Sequence, residues 1–429
     1  MTFLTRLRER DLRFKGEITV FVSLVFMLTL SLIMALLSSA ATQVKKSSVR
    51  AQMTLALESV FAEYEQELLR QYDIFARGGW SEEMINERLK YYGIVDVEHK
   101  IIASELLTDK GGLPFYRSAV RYMKDWIGME GPMEDGNSFL ENEEIKDLEI
   151  ESDSALESVT SEGENPLGDL QNIRKASVVS LVIRGMENVS EQEVDTSTLP
   201  SHRELKKGEG TFEREEGSGG TAEKILFVEY LMEHFSRVTE SKEDRALQYE
   251  LEYLLCGEGK DQDNLEGTLK KILNLRIGIN YAYLLTDEIK KAEAGAMAAV
   301  LSVLLTSPEA AEVVKQALLL LWAYGESVMD LKVLLKKEKV PLVKTEATWQ
   351  LQLSKLSQLE TEQGVGGEQG LDYDGYLRGL LLLETCESLS MRSLDLIEKN
   401  LSIKVDECAT KVLVESQKYG SFETEFYYQ

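Results

Sequence analysis

The chain has 429 residues, 43% of them hydrophobic, and carries a formal net charge of -26. Its first 50 residues have eight basic and three acidic side chains, so the rest of the chain carries about -31. Such a charge repels nucleic acid phosphates, and the sequence therefore predicts no nucleic acid partner. The three cysteines, Cys256, Cys386 and Cys408, are too few and too far apart to indicate a disulfide scaffold or a metal site.

The first predicted element is a membrane-spanning helix. No charged residue lies between Ile18 and Ala41, and about 24 residues of helix rise about 36 Å, enough to cross a hydrocarbon core of about 30 Å. The basic tail, residues 1–17, favours a cytoplasmic N-terminus, with the body after the span on the outside. The sequence thus predicts a single-pass protein of the cell membrane with residues 18–41 in the lipid bilayer. Small residues at Ser38–Ala41 resemble a signal-peptidase site, so cleavage near Ala41 is the alternative.

An amphipathic stalk helix is predicted over residues 42–79. Apolar side chains recur there at gaps of three and four, and no Pro or Gly interrupts the pattern. One continuous helix that ends at Ala76, before Gly78-Gly79, is predicted, with a bend within residues 43–48 as the alternative. Small residues of the span and apolar residues of the stalk define a predicted helix-packing face: Ser23, Thr29, Ser31, Ala35, Val49, Met53, Leu57, Phe61, Tyr64 and Leu68.

Two less regular segments come next. Residues 80–128 are predicted to be a small mixed α/β segment, in which 97–107 fits either a strand or a helix. From 130 to 164 the chain has thirteen acidic side chains and one basic one, with few large apolar residues. This composition cannot bury enough surface to offset the entropy of ordering. Residues 129–221 are therefore predicted to be an acidic, partly disordered linker with a short ordered element near 175–185.

The last predicted domain, residues 222–429, reads as helical because apolar residues recur at helical spacing in several stretches. The two most apolar stretches are Ala294 to Ser307 and Ala317 to Gly325. Each is too short to span a membrane, and both are predicted to form the buried centre of a helical bundle. The fold class is thus predicted to be mainly α with minor β, with the long N-terminal helix followed by a helical extracytoplasmic body.

Motifs for catalysis or cofactor binding are missing from the sequence. His99, His202 and His234 are scattered, and no HExxH, CxxC, GxSxG or GxxxxGK[ST] pattern occurs. The segment Cys256–Asn264 lacks the spacing of a phosphate loop, and Asp372–Gly375 lacks the remaining ligands of a calcium loop. No catalytic residue, metal ligand or cofactor is predicted.

The residues before the span form a candidate processing site. Gly16 followed by Glu17 and an apolar run resembles the junction that prepilin peptidases cut in pilins and pseudopilins. In those families a Glu usually stands at the fifth residue after the cut, whereas this chain has Phe21 there. The alternative is that Gly16 and Glu17 mark the interfacial start of the helix.

Eight segments along nearly the whole chain carry a family resemblance: KGEITVFVSL, ESVFAEYEQELLRQYDIFA, LPSHR, YELEYLLCG, LNLRIGINYAYL, LLWAYGES, VPLVK and LDYDGYLRGLLL. Together they look like an uncharacterised bacterial family of single-span membrane proteins that carries a domain-of-unknown-function label. Its members, mainly from Gram-positive bacteria, tend to be encoded beside components of tight-adherence (Tad) pilus and type II secretion-like machines. The N-terminal part also resembles the TadE/TadG type of pseudopilin. The resemblance implies other pilin-like or secretion-apparatus subunits as partners.

Two functional hypotheses follow. The first is a non-enzymatic, membrane-anchored and outward-facing structural or accessory protein of a Tad-like pilus or type II secretion-like apparatus. The second is a membrane-tethered extracytoplasmic enzyme, or a ligand-binding or sensor module, with an unrecognised site. An exposed apolar face along Val49 to Phe75 is expected of a subunit, whereas a deep pocket with converging polar groups is expected of an enzyme.

Overall fold

The structure is a computed structural model that describes residues 3–95, 97–128, 182, 189–212, 220–304, 310–359 and 361–428. Most of the predicted acidic linker lies outside the described residues. Of its predicted ordered element near 175–185, Val182 is the one residue described.

Helices make up most of the described chain. They are α1 (Phe3–Phe61), α2 (Gln66–Tyr72), α3 (Glu82–Tyr91), α4 (Asp109–Trp126), α5 (Thr221–His234), α6 (Glu250–Cys256), α7 (Asp261–Thr286), α8 (Glu288–Leu304), α9 (Ala311–Leu334), α10 (Tyr373–Leu383) and α11 (Cys386–Leu401). Three strands, β1 (His99–Leu106), β2 (Ala409–Ser416) and β3 (Phe422–Tyr427), form one small sheet. The predicted fold class, mainly α with minor β, is confirmed.

The N-terminal helix α1 is continuous, without the alternative bend within 43–48. Side chains 18–45 are all exposed, including large apolar groups such as Phe26 and Leu28. Within the described residues, α1 is the one helix that is long and apolar enough to cross a membrane. Its exposed apolar half is therefore a possible membrane span, in agreement with the sequence.

The predicted continuation of this helix to Ala76 is wrong, because α1 ends at Phe61 and α2 begins at Gln66. The Tyr428 hydroxyl donates a hydrogen bond to the carbonyl oxygen of Phe61 at 2.6 Å. The ring of Phe61 also stacks on Phe426, with centroids 4.3 Å apart. The residues that stabilise the helix end lie more than 360 positions away in the sequence. The hydrophobic pattern around Phe61 therefore does not indicate that the helix ends there.

The sheet joins the two ends of the globular body. β1 pairs antiparallel with β2, and β2 with β3, in the order β1-β2-β3. The segment that fitted either a strand or a helix is thus mostly strand. The helical prediction for the end of the chain is wrong, because residues 409–427 form β2 and β3. Their alternation of buried and exposed side chains places Val412 and Val414 against α1.

The helical body has its own core, to which α4, α5, α6, α7, α9, α10 and α11 all contribute. α8 lies at its edge rather than at its centre, which corrects the prediction for the described part of that stretch, residues 294–304. Small residues such as Ala294 and Ala298 let one side of α8 pack on α9, while Val300 and Val303 stay 62% and 67% exposed. The second predicted stretch, from Ala317 on, lies in α9, which is largely buried.

The packing of α1 on the sheet predicts that two leucines two positions apart contribute very differently to the free energy of unfolding. Leu57 is 1% exposed in the core with the sheet, whereas Leu55 is 62% exposed on the other side of the helix. We expect Leu57→Ala to lower the free energy of unfolding by about 2–5 kcal/mol. Leu55→Ala, the matched control, should change it by no more than about 0.5 kcal/mol.

The measurement is urea-induced unfolding of the purified full chain in detergent, followed by near-UV circular dichroism. Equal effects of the two substitutions would contradict the burial of this face of α1 against the sheet.

Candidate functional site

The span half of the predicted helix-packing face is exposed, but its residues do not share one side of the helix. Ser31 and Ala35 are one turn apart and face the same way. At 3.6 residues per turn, Thr29 lies about 160° around the helix from Ser31. The hydroxyls of Ser23 and Thr29 donate hydrogen bonds to the carbonyl oxygens three residues before them, at 2.8 and 2.9 Å. Of the predicted span residues, Ser31 and Ala35 therefore share one exposed side of the helix, and Thr29 does not.

The stalk half of the predicted face is used inside the chain. Val49, Met53, Leu57, Phe61 and Leu68 are each at most 8% exposed. Met53, Leu57 and Phe61 share one buried cluster with residues of the sheet, and Val49 is buried one turn before Met53. The expectation of an exposed apolar face from Val49 to Phe75 is therefore wrong, because the sheet covers its first part and the helical body covers Leu68 and Tyr72.

The remaining residues of the predicted sites are Tyr64, which follows the end of α1, and Gly16 and Glu17, which lie near its start. Tyr64, in the turn after α1, is half-buried and contacts the ring of Phe75 edge-on, with centroids 5.2 Å apart. Gly16 and Glu17, the candidate processing site, lie within the helical backbone of α1.

A large cavity of about 840 Å³ opens where the sheet meets the helical body. It lies between the end of β1, the first residues of α4, the N-terminal turn of α11 and the loop 199–212. Polar groups from all four segments converge on it, among them Thr108, Asp109, Ser201, His202 and Arg392. Sequence reasoning missed this site, since its walls come from segments about 100 to 190 residues apart.

Three buried carboxylates, two in α11 and one shortly after it, fix the loop 199–212, which we call the cavity loop. Arg203 donates two hydrogen bonds to Glu398, at 2.6 and 3.0 Å, and one to Asp406 at 2.6 Å. The backbone N–H and the hydroxyl of Ser201 both donate to Asp395, at 2.8 and 2.6 Å. The sequence segment LPSHR is thus a structural anchor of the cavity wall.

Two glycines let the same loop run along β1. A Cβ on Gly208 would lie 2.1 Å from the carbonyl oxygen of Ser104, and one on Gly210 would lie 1.9 Å from that of Ile102. Gly210 also has φ +66°, which favours glycine. Asp109 accepts a hydrogen bond from the backbone N–H of Gly208 at 3.0 Å. Sequence reasoning missed this Gly-x-Gly spacing, which is a signal for a close approach of two backbone segments.

A serine, a histidine and an aspartate meet in the cavity wall, but not in the order of a nucleophilic triad. The Ser201 hydroxyl donates to Asp395, which also accepts from the Tyr253 hydroxyl at 2.8 Å. His202 Nδ1 lies 3.3 Å from the Ser201 oxygen on the other side. Burial raises the pKa of Asp395. In a nucleophilic triad the imidazole stands between the hydroxyl and the carboxylate, so this arrangement fixes the loop instead of activating the serine.

The other residue types considered for chemistry do not converge in the described parts of the chain. His99 contacts Asn86, and His234 contacts Asp73 at 3.1 Å. No group of three or more His, Cys, Asp and Glu among the described residues could hold a metal ion. The three cysteines are free, and burial raises the pKa of the Cys408 thiol to about 12.

Comparison with known proteins gives one match. A family model described as "Family of unknown function (DUF5702)" matches residues 157–418. This range contains the cavity loop, α11 and β2, whereas α1, β1 and α4 precede it. No curated protein and no solved structure matches the chain.

The anchoring of the cavity loop predicts a large effect of removing Arg203. The side chains of Glu398 and Asp406 are only 7% and 9% exposed, so Arg203→Met leaves two buried carboxylates without this partner. We expect the free energy of unfolding to fall by about 3–5 kcal/mol.

The matched control is Arg378→Met, which removes an equivalent Arg–Glu pair whose side chains are 41% and 40% exposed. That change should cost about 0–1 kcal/mol. Chemical unfolding of both variants at neutral pH measures the difference, and an Arg203→Met effect no larger than the control would show that the loop is not anchored in this way.

Proposed function

This chain belongs to the DUF5702 family of unknown function, and from that premise we propose that it is a membrane-anchored structural or accessory subunit of an envelope assembly. The assembly is of the tight-adherence pilus or type II secretion-like kind. The helical body faces outward, and the partners are the lipid bilayer and other pilin-like or secretion-apparatus subunits.

The observation that carries this proposal is the unbroken course of α1. Residues 18–45 expose an apolar surface. The second half of the helix is part of the core of the globular body that follows α1, which we call the head. Since no turn separates the two halves, the head cannot rotate freely on its anchor. A head fixed to its span suits a subunit that must be held in one orientation beside its neighbours.

Charge and resemblance support the proposed location. The tail before the span has five basic and three acidic side chains, and Lys and Arg in a short flank favour a cytoplasmic tail and an outward body. The resemblance of the N-terminal part to TadE/TadG-type pseudopilins supports the choice of apparatus. The covered stalk face and the polar cavity are the features expected above of the enzyme or ligand-binding alternative. The subunit proposal therefore places the contacts with other subunits on the exposed half of α1.

The surface around Ser31 and Ala35 is the place where a second helix can approach α1 most closely. We expect the double substitution Ser31→Leu and Ala35→Leu to reduce self-association in the membrane several-fold, because two bulky side chains separate the helices. Thr29→Leu, which adds similar bulk on the opposite side of the same helix, should leave association unchanged.

Disulfide cross-linking through a single cysteine introduced at Leu32, in a chain whose native cysteines are replaced by serine, measures the association in native membranes. Unchanged cross-linking of the double variant, or an equal loss with Thr29→Leu, would remove this surface from the proposal.

The proposal also predicts that the mature protein keeps residues 18–41. Mass and N-terminal sequence of the protein isolated from its native membrane should show either an intact basic tail or a start at Glu17. A start at Glu17 would support processing of the prepilin type at Gly16. A start near Ala41 or Thr42 would mean that the segment is a removed signal, and would contradict the anchored subunit.

A further inference from the structure

The segment between α5 and α6, residues 235–249, has no helix or strand of its own. We call it the junction segment, because it lies where α6 packs on α10. Three carboxylates that are each 0% exposed accept hydrogen bonds from its backbone N–H groups. The pairs are Ser236 with Glu250 at 2.8 Å, Val238 with Glu252 at 3.1 Å, and Tyr249 with Asp261 at 3.0 Å.

Two of these carboxylates are fully supplied with donors. One oxygen of Glu250 accepts from Ser236 and the other from the side chain of Asn400 at 2.6 Å, and the guanidinium of Arg245 lies 3.9 Å away. Both oxygens of Asp261 accept backbone hydrogen bonds from the junction segment. These two groups are therefore held as hydrogen-bonded acceptors.

Glu252 differs from them. Its Oε1 accepts hydrogen bonds from the Tyr373 hydroxyl of α10 at 2.8 Å and from the Val238 N–H. Its Oε2 is buried and has no hydrogen-bond partner in the described part of the chain. No Lys or Arg among those residues forms an ion pair with it either. A negative charge on Glu252 is thus buried without a cation, which costs far more than burying the neutral acid.

The ionisable groups around Glu252 add to this cost instead of reducing it. Asp261, at the start of α7, contributes a like charge. Asp374 of α10 is paired with Arg237 of the junction segment at 2.7 Å, so that guanidinium is already used. Cys256, one turn further along α6, has a thiol whose pKa is raised by burial. The surroundings therefore favour a proton on Glu252.

The sign of the effect follows from the pKa of Glu252. Burial raises this pKa from 4.5 to about 7. A closed junction therefore holds a proton that an opened one, with Glu252 in water, releases between about pH 4.5 and about pH 7. The free energy of closing is most favourable at the acidic end of this range, and it becomes less favourable as the pH rises to about 7.

We propose that the junction of α6 and α10 is a proton-operated latch, in which Glu252 is neutral while the junction segment is closed on it and ionises when the segment opens. The tightness of the head then depends on the proton concentration around it. The latch is independent of the assembly role proposed above, which depends on the exposed half of α1.

The test is hydrogen–deuterium exchange of the purified full chain in detergent, read by mass spectrometry on peptides from 235–249. Exchange is measured at about pH 5.5 and about pH 8, with correction for the intrinsic exchange rate. We expect protection of the junction segment to be at least tenfold weaker at the higher pH. Equal protection at the two pH values would overturn the proposal.

Glu252→Gln assigns the effect to one side chain. Glutamine keeps an oxygen that accepts from Val238 and Tyr373 but has no charge at either pH, so the pH dependence of protection should disappear. The matched control is Glu243→Gln, which removes an exposed glutamate of the same segment and should keep the full dependence. A dependence that persists in Glu252→Gln would belong to another group, and would overturn the proposal.

Tyr373→Phe is a second variant that predicts a shift instead of a loss. The hydrogen bond from the Tyr373 hydroxyl lowers the pKa of Glu252, so its removal should move the midpoint of the change in protection to higher pH. A merely structural role of Tyr373 would lower protection at both pH values and leave the midpoint in place, which would contradict the latch.

Discussion

The structure depends on one constraint: the continuous helix α1 is exposed over one part of its length and packed in a core over another. Residues 18–45 of α1 expose apolar side chains around the whole circumference of the helix, whereas the second half of α1 buries one face. That face is covered by a sheet made of residues 99–106 and 409–427, which lie far apart in the sequence. Folding of the body therefore brings its two ends together over the helix, and the second half of α1 becomes part of the core.

The same closure creates the large cavity. β1 leads into the left-handed turn at the start of α4, and the end of β1 and this turn form one wall of the large cavity. The loop 199–212 is then fixed from one side by the carboxylates of α11 and from the other by its glycines against β1. The packing of α1 and the large cavity thus depend on one sheet.

The buried polar groups around this closure explain why a loop without regular structure has a fixed course. Ser201 and Arg203 are held by Asp395, Glu398 and Asp406, all of which are buried. An unpaired buried charge costs far more than a paired one, so the loop cannot leave its carboxylates without a large loss of stability. This is a structural use of residue types that often indicate catalysis.

The sequence by itself determined the features that depend on neighbouring residues. These are the apolar run from Ile18 to Ala41, the amphipathic pattern from Val49 to Phe61 and the predominance of helix, because hydrophobic periodicity is a local property. Only the tertiary structure decided where α1 ends, that residues 409–427 are strands, and that the stalk face packs inside the chain. It alone assembled the large cavity as well, since Asp109, Ser201 and Arg392 are about 90 to 190 residues apart, and a contact at that separation leaves no pattern in a single sequence.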